Sequence, residues 1–421
     1  FIEDFRKDLY FAKEEDLGSS KIKNISVNHN NILYKELKNR KDIVQLFLEK
    51  AIKPNESITI NITYIIKIPN AKYTGYGFYK NGYRLRYWYI TPAIYNQGWQ
   101  LMSNLNLDDL FEDYTTFNID LKTPKQLYLT GSLKQIKKSD KTQNSFHLSG
   151  ENEKDVLVDI QKINTFRKFK TDTHEIQTNI LEEEISISLT ENILNRELHF
   201  LTAYLGVLPT DKILIDEVMR DKNPVYGLNQ LPSFIRPFPD VFNHDLTLFK
   251  ALSRKYLKQT LLLNERKDYW LIDGLQNYLM IEYVNKFYPE MKLLGKAADT
   301  WLLKRSQISK LKFNDKYPFV YQFTARQFLD QSLNTPADSL SNFNRKIVSK
   351  YKAGLGFNYL KGYLGEEVLN KSIKEFYQKN KLIISEISNF KEILTQNTNK
   401  DIKWFFKDYI KTNKKIDYAI E

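Results

Sequence analysis

The sequence predicts an α+β protein, with a β-rich first part and a largely helical second part. Two changes of period carry this. Ile58, Ile60, Ile62, Tyr64, Ile66 and Ile68 alternate with less buried neighbours, which is the pattern of a strand with one core face. Beyond residue 190, Ile193, Leu194, Glu197, Leu198, Leu201 and Leu205 recur at three- and four-residue spacing, which is the pattern of a helix. The pattern changes near Asp155, so the expected division is residues 1–155 and 156–421. In the second part, a small sheet and core helices extend to about residue 310, and a helical lobe follows.

In chain order, Ile2 to Phe11 reads as a helix. Pro69-Asn70 ends the first alternating strand. Asn81-Gly82 lies between two aromatic-rich runs and predicts a hairpin turn. Tyr114–Leu121 is a further strand, stopped before Pro124, and the lysine-rich stretch from Lys134 to Asn152 reads as an exposed hairpin. Ile185–Leu189 is strand-like and leads into the helix that Gly206 and Pro209 close. Ile213–Ile215 is a short buried strand. Helices follow at about Asp245–Leu263 and Asp273–Tyr288, then amphipathic stretches at Tyr317–Leu333, Arg345–Leu360, Glu366–Asn380 and Ile402–Thr412. The chain opens inside an apparent helix and without Met, so it is expected to begin partway through a longer protein.

Composition removes several function classes. The 421 residues contain no cysteine, which excludes disulfides, thiolate metal sites and cysteine nucleophiles. The net charge of +12 is spread among interspersed acidic and basic residues, with no basic arm or nucleic-acid motif, so no nucleic-acid partner is expected. No apolar run approaches the roughly 20 residues that cross a bilayer. The five histidines are His29, His147, His174, His199 and His244, and no two stand four apart. A helical pair of imidazole ligands therefore does not exist in this chain. His244 is expected to be a cap or surface residue.

One motif resembles a known family. Trp270-Leu271-Ile272-Asp273-Gly274, followed by Tyr278, is similar to the W-L-x-E-G-x-x-x-Y signature of the aminopeptidase-N-type zinc metallopeptidases (gluzincins). Tyr87-Trp88-Tyr89-Ile90-Thr91-Pro92, with Tyr95 and Trp99, resembles a W-Y-P stretch in that family's amino-terminal β-domain. Phe117–Asp120 and Leu129-Thr130-Gly131 resemble the strands and turn that follow it. Trp404–Tyr409 resembles the closing helix of the catalytic domain. The implied fold is a β-sheet domain lacking its first strands, then a thermolysin-like domain.

The resemblance also implies a site, and the chain departs from it. The family's glutamate ligand follows the second histidine of H-E-x-x-H by nineteen positions. Counting back from Asp273 places Arg254 there, with Lys250 at the first histidine and Ala251 at the general base. Cations do not ligate zinc and alanine accepts no proton. The G-x-M-E-N motif, whose glutamate holds a substrate amino group, is matched by Gly227-Leu228-Asn229-Gln230-Leu231, with Gln230 at the acid's position. Tyr351, in Tyr351-Lys352-Ala353-Gly354, resembles the family's transition-state tyrosine and is expected to pack or to hydrogen-bond in the cleft. Asp273 is expected to pair with Arg254, Lys250 or both, with Lys250 held in its charged form by the carboxylate.

These readings lead to a degenerate, non-catalytic member of the family with no cofactor and no metal. It would serve as a scaffold or binding subunit whose partners are other proteins. The Lys-, Asn-, Ile- and Tyr-rich composition resembles that of Bacteroidota members, which implies a cell-envelope or outer-membrane assembly. The alternative is an old cleft that binds peptides, or that performs metal-independent hydrolysis with Tyr351, Asp273 and a lysine.

Overall fold

A computed structural model describes residues 10–228 and 236–414. The chain divides into two compact units, residues 1–164 and 165–421. Most of the expected Ile2–Phe11 helix lies outside the described residues.

The first unit is built from antiparallel strands. Ser19–Val27 pairs with Ile60–Lys67, on which Ile62, Tyr64 and Ile66 form the half-buried face that the alternation predicted. A four-stranded sheet runs in the order Gly77–Tyr79, Gly82–Leu85, Val158–Gln161, Tyr128–Gly131. The Asn81-Gly82 turn joins its first two strands. Gly82 must be glycine, since a Cβ there would lie 1.8 Å from the Ile160 carbonyl oxygen. Inside this sheet Arg84 Nε donates to Asp159 Oδ2 at 2.8 Å and the Tyr79 hydroxyl to Oδ1 at 2.9 Å, so the buried carboxylate is satisfied from both sides. A third sheet holds Lys134–Ser139, Gln143–Glu153 and Thr115–Pro124. The expected exposed hairpin is exposed only on Lys134–Ser139. On the other arm Phe146 and Leu148 are core residues, because the 143–153 strand is central in its sheet.

The second unit opens with the sheet Arg167–Lys170, Glu175–Thr178, Lys212–Ile215. The last two strands are parallel, and such a pair needs a long crossover. Helix α1, Ile187–Leu205, supplies it. The expected strand at Ile185–Leu189 is instead the start of this helix. The Ser186 side chain accepts the Leu189 N–H and caps it, a short-range signal that outweighs five residues of apparent alternation. Gly206 ends the helix as expected, with φ of 103°.

Helix α2 (Glu217–Lys222) is short and is followed by Asn223 and Pro224. Helices α3 (Asp240–Thr260) and α4 (Glu265–Phe287) form the centre of the unit. Every residue from Phe242 to Ser253 and from Tyr269 to Val284 is buried. Helices apolar or buried all round belong inside a larger domain. Around them stand α5 (Lys316–Arg326), α6 (Ser349–Leu364), α7 (Glu366–Asn380) and α8 (Ile387–Gln396). The sequence reading had the 366–380 helix at its observed bounds, ran the 317–333 helix too far, and did not find α8.

Close approach of α4 to α6 is written in one residue of the Trp-Leu-x-Asp-Gly motif. A Cβ on Gly274 would come within 2.7 Å of the fully buried Phe357 ring. Trp270, also fully buried, lies against Phe357 and Phe405. No described helix is long and apolar enough to cross a membrane.

Candidate functional site

Positions 250 and 254 are one helical turn apart on α3, so both side chains leave the same face. Asp273 lies in the middle of α4, which begins eight residues before it at Glu265, with Asn264 accepting the Lys267 N–H as its cap. The Arg254 guanidinium fills the space between the two helices. Its Nη1 donates to Asp273 Oδ1 at 2.5 Å and its Nη2 to Glu265 Oε2 at 3.1 Å. Lys258, the next turn of α3, reaches Glu265 Oε1 at 3.1 Å. Both carboxylates are nearly buried, at 4% exposure for Asp273 and 5% for Glu265. Burial pushes the Asp273 carboxyl up, but Lys350, Arg254 and Lys258 outweigh it and leave it below the usual carboxylate range. Sequence reading missed Glu265. Its signal was the Asn264 cap with an acid in the first turn, which moves the helix start upstream.

Lys250 behaves differently from the expectation that a carboxylate holds it charged. Its Nζ donates to the Pro224 carbonyl at 2.6 Å, while Asp273 is bonded to Arg254. Burial, reinforced by Lys350 and Lys316, drives its pKa well below the lysine range despite a counteracting pull from Asp273. Two further lysines approach the same stretch of chain. Lys350 of α6 donates to Asn223 Oδ1 at 2.8 Å, and Lys316 of α5 lies 3.5 Å from the Tyr226 carbonyl. Three ammonium-bearing side chains from three helices thus converge on residues 223–226. That segment is tied to the central helices by Gln276. Asn223 Nδ2 donates to Gln276 Oε1 at 3.2 Å, and Gln276 Nε2 to the Lys250 carbonyl at 2.7 Å.

Ala251 is a core residue at 5% exposure. Tyr351 is buried, its ring edge-on to Tyr317 with centroids 4.7 Å apart, and burial raises its hydroxyl pKa. Gln230 lies outside the described residues. His244 is neither a cap nor a surface residue. Helix α3 starts at Asp240, four residues earlier, which places His244 at 1% exposure with Nε2 3.1 Å from Thr190 Oγ1. Burial lowers its pKa to about 4, so it is a neutral core group at pH 7.

The donor set does not suit zinc. The first ligand position holds a lysine whose Nζ is bonded to the Pro224 carbonyl, the second a guanidinium, and the third a carboxylate bonded to that guanidinium. Among the described residues no group of three His, Asp or Glu side chains is arranged to hold a metal ion.

No family model and no curated protein matches the chain. Solved structures do. An M1 zinc metallopeptidase from Deinococcus radiodurans is similar at a TM-score of 0.58 and 11% identity, over 95% of this chain and 85% of that one. A point mutant of the Deinococcus radiodurans M1 enzyme bound to a Tyr-Ser-Ala substrate gives 0.60 and 11%, over 95% and 86%. A two-domain M1 mutant bound to L-arginine gives 0.60 and 10%, over 94% and 85%. The class that emerges is the two-domain α+β fold of the M1, aminopeptidase-N-type zinc metallopeptidases. At such identities the likeness establishes the fold, and the activity has to be argued from the site.

Proposed function

We propose that this chain is a peptidase-fold protein that does not hydrolyse peptides through zinc and acts as a binding or scaffolding subunit. The observation that carries the reading is the Arg254–Asp273 bond. A guanidinium sits where the resemblance puts a histidine ligand, and it engages the one carboxylate that could have been the third ligand. A positive side chain thereby substitutes for the charge of a dication beside a buried acid. The general-base position is a methyl group, so the side chain there cannot accept a proton from a water. The partners in this reading are other proteins of a cell-envelope assembly, an assignment supported only by composition.

The test is an aminopeptidase assay on a panel of aminoacyl-p-nitroanilides, with and without added zinc, beside a pull-down from native membranes using the tagged chain. The expected result is no turnover above buffer under either condition, with reproducible capture of a defined protein set. Zinc-dependent turnover that vanishes in Asp273→Ala would overturn the proposal.

A further inference from the structure

The second unit contains a cavity of about 350 Å³ next to the lysine cluster. One stripe of α5 lines it, made by Lys316, Phe319, Val320, Phe323 and Thr324. These positions recur at three- and four-residue spacing, so they form a single helical face. Tyr226 and Tyr351 line it from other elements, and Phe343 contributes at the rim. The rim rings are open to solvent. Phe319 is 62% exposed, Phe323 58% and Phe343 47%, a concentration of wet aromatic surface at one opening.

Lys316 sets the chemistry of this cavity. It is 8% exposed, and its Nζ stands 3.7 Å from the centroid of the Phe313 ring. Its one polar neighbour among the described residues is the Tyr226 carbonyl, at the limit of hydrogen-bond distance. An ammonium has three protons to donate, so two have no acceptor among the described residues. No described carboxylate pairs with it. It lies within electrostatic reach of Lys250, which in turn is repelled by Lys350 and Arg254. Five basic side chains, those at 250, 254, 258, 316 and 350, are set against the two carboxylates of Asp273 and Glu265. Protonation of all three lysines would leave this cluster with more basic than acidic groups, and it lies beside the aromatic cavity.

We propose that this cavity binds a small carboxylate with an aromatic or branched apolar body, the carboxylate meeting the Lys316 ammonium and the body lying against Phe319, Phe323 and Phe343. The volume is at the low end of the range for small-molecule sites, which suits one ring and a short acid chain. Two sources share this chemistry, namely a free aryl or alkyl acid and the C-terminal residue of a peptide. Gly227 and Tyr351, matched above to the family's cleft, line this cavity, so the inference rests on the binding reading proposed above and names its ligand.

Proton uptake distinguishes this site from nonspecific apolar binding. Burial lowers the pKa of the empty Lys316 to about 7. A carboxylate seated on it favours the charged form, so binding above pH 7 must draw a proton from solution. The groups around it are Lys250 of α3, with Lys350 of α6 acting on Lys250, and Tyr351 of α6, Tyr226, and Tyr317 of its own helix. Both lysines are also depressed and would recharge with the same sign. All three tyrosines are raised and stay neutral.

Calorimetric titration of the chain at pH 8, in two buffers of different ionisation enthalpy, tests this. The probes are 3-phenylpropionate, the peptide Ala-Ala-Phe with a free C-terminus, and the same peptide amidated. At least one free acid is expected to bind with net proton uptake, and the amide at least about tenfold more weakly, the scale of a charge-assisted hydrogen bond. Tighter binding of phenylpropionate would identify a free acid as the ligand, and tighter binding of the peptide acid would identify a C-terminus. Lys316→Met should abolish binding while raising the melting temperature, a combination that a structural lysine would not give. Phe323→Ala, at an exposed rim position, should weaken binding with the melting temperature unchanged. Absence of binding by both acids at millimolar concentration, equal binding of acid and amide, or undiminished binding by Lys316→Met would each overturn the proposal.

Discussion

Two clusters of basic side chains lie against the same helix pair, and they have solved the problem of burial in opposite ways. Arg254 and Lys258 find carboxylates, at 2.5 and 3.1 Å from Asp273 and Glu265 for the guanidinium and 3.1 Å for the ammonium. Among the described residues Lys250, Lys316 and Lys350 donate to neutral oxygens, on Pro224, Tyr226 and Asn223. The first cluster is balanced and fixes α3 to α4. In the second, burial lowers the pKa of each lysine instead. The contrast separates a group of charges that is satisfied within the fold from one that is open to a ligand under the binding proposal above.

The largest expected effect breaks the balanced cluster. Asp273→Ala removes one of the two carboxylates that hold the guanidinium in a buried setting and should destabilise by about 3 kcal/mol in urea unfolding, the low end for a broken buried pair. The paired change Arg254→Met with Asp273→Leu removes both charges and should recover most of that loss, since apolar replacements of a buried pair are close to neutral. A double variant as unstable as Asp273→Ala would mean that packing, and not charge, holds this site. Next in size, Gly274→Ala should destabilise by about 1–3 kcal/mol through overpacking against Phe357, whose complete burial leaves the ring no room to move.

The unbalanced cluster should show itself in pH dependence. The folded-state pKa of Lys316 lies near 7, below its unfolded value of 10.5. Between these the unfolded chain holds a proton that the folded one has shed, so this group's contribution to stability grows as pH rises and is lost as pH falls through 7. The stability advantage of Lys316→Met over the natural chain should therefore be largest near neutrality and close up toward pH 10. Asp273 has the same sign in a different window, present above its unfolded value of 3.8 and lost as pH falls through its lower folded value. The smallest effect belongs to Tyr351→Phe, which keeps the ring against Tyr317 and should change stability by less than about 0.5 kcal/mol.

Much of this molecule could be read from the sequence, for reasons that can be named. The Asn81-Gly82 hairpin, the alternating strand and α7 are local features, set by turn chemistry and period. Positions 250, 254 and 273 were reachable because a fixed motif spacing marks them. The misread segments are those where tertiary context overrides a short pattern. Ile185–Leu189 alternates for five residues, too few to outweigh a Ser cap. The start of α4 was placed at Asp273, whereas the helix runs from Glu265 through a kink at Asp268. Lys316 and Lys350 carried no signal at all. A lone lysine in a basic chain reads as a solvated surface group, and only the packed helices reveal that these two are removed from water.

Zinc stoichiometry measures most directly whether a guanidinium stands where the resemblance puts a metal ligand. After incubation with excess zinc and gel filtration, elemental analysis of the natural chain should find no stoichiometric metal, and Asp273→Ala should be indistinguishable from it. A stoichiometric ion in the natural chain that disappears in Asp273→Ala would contradict the account at its centre.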